Sequence, residues 1–148
     1  MKDVHPLRRK SIKPSASTIR GMLPGVQFRA LDAAMQSLRS AGLRLEWIWT
    51  NKDTGWVCVG MHDDQARCRL VPTSDPLLGQ MVLTKAQQKV ALKHDEVPEK
   101  FKKILKLPVD ETREGLVYEF ELGETNMRDL FSSFVEAVGV VFDEIEKH

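Results

Sequence analysis

The spacing of apolar residues switches between helical and extended periods along this chain, and that switching limits the fold more than any other feature. Phe28, Leu31, Met35 and Leu38 recur at steps of three and four, which lays them on one stripe of a helix. Arg29, Asp32, Gln36 and Arg39 take the other side, and Gly42 is placed to stop the helix in a left-handed conformation. From Leu43 the step drops to two: Leu43, Leu45, Trp47 and Trp49 alternate with Arg44, Glu46 and Ile48. The turn cluster Asn51-Lys52-Asp53-Thr54-Gly55 precedes a second extended run, Trp56 to Met61. Asp63-Asp64 turns that run into a third, Ala66 to Val71, which stops before Pro72. After the loop Thr73 to Leu78, a fourth run covers Gly79 to Leu83. Connections this short favour an antiparallel meander.

The helical period then returns. Thr84-Lys85-Ala86-Gln87 has the form of a capping box and opens a helix to about His94. Pro98 opens another, with Val97, Phe101, Ile104 and Leu105 on one face, and Pro108 ends it. Leu116, Tyr118, Phe120 and Leu122 alternate as a fifth strand. The last segment carries the longest helical stripe: Met127, Leu130, Phe131, Phe134, Val138, Val141, Phe142 and Ile145. With a short helix at Ser17 to Leu23, the order is α-α-β-β-β-β-α-α-β-α. The fold class is α+β: an antiparallel sheet of about five strands, a meander of four plus one, with helices packed on it.

A chain of 148 residues that is 42% apolar suits one domain and needs no disulfide or metal to fold. Its longest apolar run, Ala137 to Phe142, is far too short to span a bilayer, and no apolar stretch follows the first charges, so a cytoplasmic protein is expected. Charge is uneven. Residues 1–30 carry +6, whereas the remaining 118 carry −5. Pro6, Pro14, Ser11 and Ser15 interrupt any period, so residues 1–16 read as a mobile basic arm and residues 17–148 as the domain.

The landmarks fall in a familiar order. Glu46-Trp47 enters the first strand, Gly55-Trp56 the second, and Arg69-Leu70-Val71-Pro72 closes the third. Gly79 to Leu83, the helix from near Lys85, Glu114-Gly115 and Asp129-Leu130 follow. Over residues 17 to 138 this resembles a family of small bacterial proteins of unknown function, similar in layout to YjbR-like and YdhG-like domains. The resemblance implies the α+β fold and brings no activity, cofactor or catalytic residue with it.

Chemistry-bearing residues are scattered. His5, His62, His94 and His148 form no ligand pair at helical spacing, and Cys58 and Cys68 make neither a disulfide framework nor a metal site. His62-Asp63-Asp64 reads as a solvated turn, Glu119 and Glu121 as a strand's outer face, and no phosphate loop or nucleophile elbow occurs. The expectation is a protein that is not an enzyme and takes no cofactor or metal.

Recognition residues, by contrast, are grouped. Trp47, Trp49 and Trp56 share one face if Trp49 pairs with Trp56, and the second turn decides whether Arg67 and Arg69 join them. A two-residue turn pairs Gly60 with Arg67 and builds a Trp/Arg pocket for a planar or anionic ligand. A three-residue turn pairs Gly60 with Cys68, gives an apolar core face, and turns both arginines to solvent beside Val57 and Val59. Desolvating two arginines is costly, so the second arrangement, with Trp47 and Trp49 mostly buried, is the expectation. Arg8, Arg9, Lys10 and Lys13 in the arm, and Lys85, Lys89 and Lys93 at four-residue steps, are candidate contacts to an acidic partner or to phosphate. The expected function is a non-catalytic binding domain for a protein partner or a small planar or anionic ligand. Nucleic-acid binding through the arm and the Lys-rich helices is the alternative, and a small enzyme with a Trp/Arg-lined pocket a further one.

Overall fold

A computed structural model describes residues 6–15, 18–74 and 76–139. Six antiparallel strands form one sheet: β1 (Arg44–Trp49), β2 (Trp56–His62), β3 (Gln65–Val71), β4 (Leu78–Leu83), β5 (Asp110–Thr112) and β6 (Gly115–Glu121). Their order is β1-β2-β3-β4-β6-β5, so β6 pairs with β4 and carries β5 on its far side. Helix α1 (Gly25–Ser40) precedes the meander, α2 (Lys85–Lys93) and α3 (Glu99–Leu105) connect β4 to β5, and α4 (Thr125–Val138) ends the described chain. The fold is α+β, with one strand more than the residue pattern indicates. That strand is β5, whose three residues are polar and wholly exposed. They show no alternation to detect. The short helix expected at Ser17 to Leu23 is a single 3-10 turn, Ile19–Met22.

Local signals act where the residues place them. Gly42 sits at φ 91° after α1, and the Leu43 N–H donates to the Leu38 carbonyl while Gly42 N–H donates to Arg39. These are the two bonds of a Schellman motif. Thr84 Oγ1 accepts from the Gln87 N–H at 3.1 Å, and Gln87 Oε1 accepts from the Thr84 N–H at 2.8 Å, which closes the capping box.

The core lies between one face of the sheet and the helices. Leu70, Met81, Leu83, Tyr118 and Phe120 meet Leu31, Leu38, Phe131 and Phe134, all buried. Phe134 is the hub, with ring centroids 5.6 Å from Phe101, 6.0 Å from Tyr118 and 5.1 Å from Phe120. Val141, Phe142 and Ile145, expected to continue this helix, lie outside the described residues.

Residues 6–15, the described part of the expected basic arm, lie against this core. Leu7 is fully buried in it, and Pro14 is buried as well. The Trp56 indole N–H donates to the Arg9 carbonyl at 2.9 Å. Gly55, at φ 75°, lies so close that a Cβ there would stand 2.0 Å from the Leu7 carbonyl oxygen. One leucine and one carbonyl seat the segment, so no apolar period is needed to mark it.

Candidate functional site

The Trp and Arg candidates are distributed by an irregularity in the β2–β3 hairpin. At the tip, His62 pairs with Gln65 across the two-residue turn Asp63-Asp64, whose φ values of 51° and 61° match the mirror-image turns that suit hairpins. Met61 then pairs with Ala66, but Gly60 pairs with Cys68. Arg67 is the extra residue of a β-bulge. The tip is therefore that of the short-turn alternative, while the body of the hairpin has the register of the longer one.

Consequently Trp47, Trp49, Trp56, Cys58, Cys68 and Leu70 share the helix-side face, and the tryptophans form its flank. Trp56 is buried, whereas Trp47 and Trp49 are partly so; Trp49 and Trp56 meet edge to face at 5.7 Å. Arg69 lies on the opposite face beside Val59. No Trp/Arg wall forms.

Arg67 corrects the expectation that both arginines reach solvent: it is 6% exposed. Its Nη1 donates to the Gly139 carbonyl at 2.6 Å, and its Nη2 lies 3.3 Å from His62 Nδ1. Helix α4 has no basic residue in its own last turn, so this cation from β3 meets the negative end of the helix dipole. The bulge turns Arg67 out of the alternation and makes that contact possible. Both of these contacts are internal to the fold.

The outer face of the sheet holds a different constellation. Val57, Val59 and Val71 form a small buried cluster there, with Met61 and Leu78 packed against it. Val57 and Val59 floor a cleft of about 210 Å³, bounded by Ile48, Arg69, Gln80, Val82 and Glu114. Arg69 Nε donates to Gln80 Oε1 at 2.7 Å, and Gln80 Nε2 donates to Glu119 Oε2 at 2.7 Å. The ladder crosses β3, β4 and β6 and orients the guanidinium, whose Nη nitrogens bond to no side chain among the described residues. Sequence reasoning singled out Arg69 and set it beside Val57 and Val59, but it did not find Gln80 or the cleft. The available signal was a glutamine within the apolar run of β4, but placing it beside Arg69 needs the β3–β4 pairing.

Arg8, Arg9, Lys10 and Lys13 are exposed at the β1–β2 turn end of the strands, and Lys85, Lys89 and Lys93 are exposed on α2, which begins at the other end after Leu83. The structure does not unite these two basic groups. No group of three His, Cys, Asp or Glu among the described residues is placed to hold a metal ion.

The shifted ionisations all favour neutral forms. Burial pushes the Cys58 thiol up to about 12 against an opposing effect of Arg39. Burial likewise, helped by nearby Cys58, pushes Cys68 up to about 12. Burial raises Tyr118, whose hydroxyl donates to the Leu105 carbonyl at 2.6 Å. A nucleophilic thiol needs the reverse shift.

No family model, curated protein or solved structure matches the chain. No helix of the described residues is long and apolar enough to cross a membrane.

Proposed function

We propose that this is a non-catalytic binding domain whose outer sheet face takes a small anionic ligand with a planar or aliphatic body. The observation that carries the reading is Arg69: its guanidinium is held by Gln80, itself fixed by Glu119, while its terminal nitrogens stay open at the rim of a valine-floored cleft. An oriented guanidinium offers a two-pronged donor for carboxylate or phosphate, and the valines offer a dry surface for the ligand body. The cleft, about 210 Å³, falls below the roughly 300–1,000 Å³ of drug-sized sites, which limits the ligand to about one ring. Glu114 on the rim repels anions, so the acidic group belongs at the Arg69 end. The non-catalytic part of the proposal is supported by Cys58, Cys68 and Tyr118, all shifted towards inert neutral forms.

Thermal shift with a panel of benzoates and phenyl phosphates tests this. At a hundredfold excess over Kd a ligand adds about 2.7 kcal/mol, which moves the midpoint of a domain this size by several degrees. The expected hit shifts the parent but not Arg69→Met. A panel without hits, or hits that shift Arg69→Met equally, overturns the site.

A further inference from the structure

The two edges of the sheet are built differently. β5 at one end is three exposed residues, Asp110, Glu111 and Thr112, and Thr112 pairs with Gly115 across a two-residue turn. Brevity and charge are how natural sheets keep an edge from pairing. β1 at the other end runs Arg44-Leu45-Glu46-Trp47-Ile48-Trp49, pairs with β2 in unbroken register, and holds neither proline nor lysine. Its Ile48 is 41% exposed, and Leu45, Trp47 and Trp49 are half-buried.

Both hairpins fix which backbone groups of β1 face outward. The Thr50 N–H donates inward to the Gly55 carbonyl at 3.1 Å, so alternation turns Ile48, Glu46 and Arg44 towards β2 as well. From the other side, His62 closes the β2–β3 turn with Gln65, so His62, Gly60 and Cys58 bond to β3, leaving Met61, Val59 and Val57 for β1. Their partners are again Arg44, Glu46 and Ile48. The N–H and C=O groups of Leu45, Trp47 and Trp49 therefore point off the sheet, and they bond to no described residue.

We infer that β1 is a self-association edge, on which a second copy of this chain pairs antiparallel about a two-fold axis at Trp47. In that register Trp47 exchanges both backbone bonds with its own copy and Leu45 does so with Trp49, so every outward group is used. Shifting the pairing one step either way carries Trp49 or Leu45 past the end of the other strand, and one of those steps sets Glu46 against its own copy. The side chains agree with the backbone. On the helix side Leu45 faces Trp49 and Trp47 faces Trp47, so the half-buried flank is covered by surface of its own kind. On the outer side Arg44 faces Thr50 and Glu46 faces Ile48, so no like charges meet.

Sedimentation equilibrium of the full chain over a concentration series should show monomer and dimer in exchange. Ile48→Glu sets a carboxylate opposite Glu46 of the second copy, twice by symmetry, and should weaken the dimer by about tenfold or more. It should melt with the parent, because Ile48 is exposed. Adding Glu46→Lys makes each opposed pair attractive and should restore dimerisation, a rescue that damage to the fold would not give. In the parent, hydrogen exchange at the Leu45, Trp47 and Trp49 amides should slow as concentration rises, and Asp110→Lys on β5 should leave the dimer unchanged. The proposal is overturned by a chain that stays monomeric at every concentration, whether or not it takes extended peptides of unrelated sequence. A dimer that Ile48→Glu leaves intact, a double variant without rescue, or β1 amides indifferent to concentration overturns it too.

Discussion

Single residues settle the hairpin that organises this molecule. Asp63 and Asp64 both adopt left-handed backbone, where L side chains crowd the following carbonyl at roughly 1–2 kcal/mol each, somewhat less for aspartate. Asp64→Gly should therefore raise stability by about 0.5–1 kcal/mol in urea titration. The ion pair it removes, Arg44 to Asp64, is solvent-exposed and too weak to reverse the sign. A lowered midpoint would show that the turn holds the aspartate for a contact the strain estimate omits. The cysteines give a second residue-scale expectation. Each thiol titrates at 9.0 when unfolded and at about 12 when folded. Above pH 9 the unfolded chain gives up protons the folded chain keeps, so stability falls as pH rises towards 12; below pH 9 the contribution is complete. Tyr118, raised by burial, acts in the same direction. Cys58→Ala with Cys68→Ala should flatten that alkaline slope, measured by urea midpoints between about pH 8 and pH 11. An unchanged slope would assign it to other groups.

At the scale of elements, the helix-on-sheet contact rests on α4 and the N-terminal segment on Leu7. Phe134 is fully buried among three aromatic rings, so Phe134→Ala should cost about 3–5 kcal/mol. Leu7 is equally buried, and Leu7→Ala should cost about 2–4 kcal/mol by thermal or urea unfolding. A Leu7→Ala midpoint matching the parent would return residues 6–15 to the status of a detached arm. The two sites differ in how far they can be read from residues. Phe134 belongs to a stripe that repeats every three or four positions, and repetition makes a helical face visible. Leu7 stands among Pro6, Arg8 and Arg9, and a lone leucine has no period to betray it.

For the whole molecule, the strand order makes β3 and β4 central and leaves β1 and β5 at the edges. Native-state hydrogen exchange should be slowest in β2, β3, β4 and β6, which are paired on both sides, and fastest among the strands in the three exposed residues of β5. Protection of β5 amides equal to those of β4 would mean that the edge is covered in solution.

The sequence alone determined what depends on local period and local chemistry. Alternation from Leu43 onward made strands, the stripe from Met127 made α4, Gly42 ended α1, and Thr84 with Gln87 capped α2. Each of these is decided within a few residues, because side-chain direction and the first hydrogen bonds are set there. The candidate site was legible only in part. Arg69 could be assigned to the outer face once a register was chosen, but its partner Gln80 is 11 residues away, and Glu119, which Gln80 holds, lies a further 39 on. Arg67 was beyond local reading for a related reason. One inserted residue between Ala66 and Cys68 reverses the facing of a side chain, and the carbonyl that makes its burial tolerable lies 72 residues on, at Gly139. Tertiary structure alone decided which arginine became a dipole partner for α4 and which kept to the outer face beside Gln80, because desolvating a cation is tolerated only where the fold brings an acceptor to it.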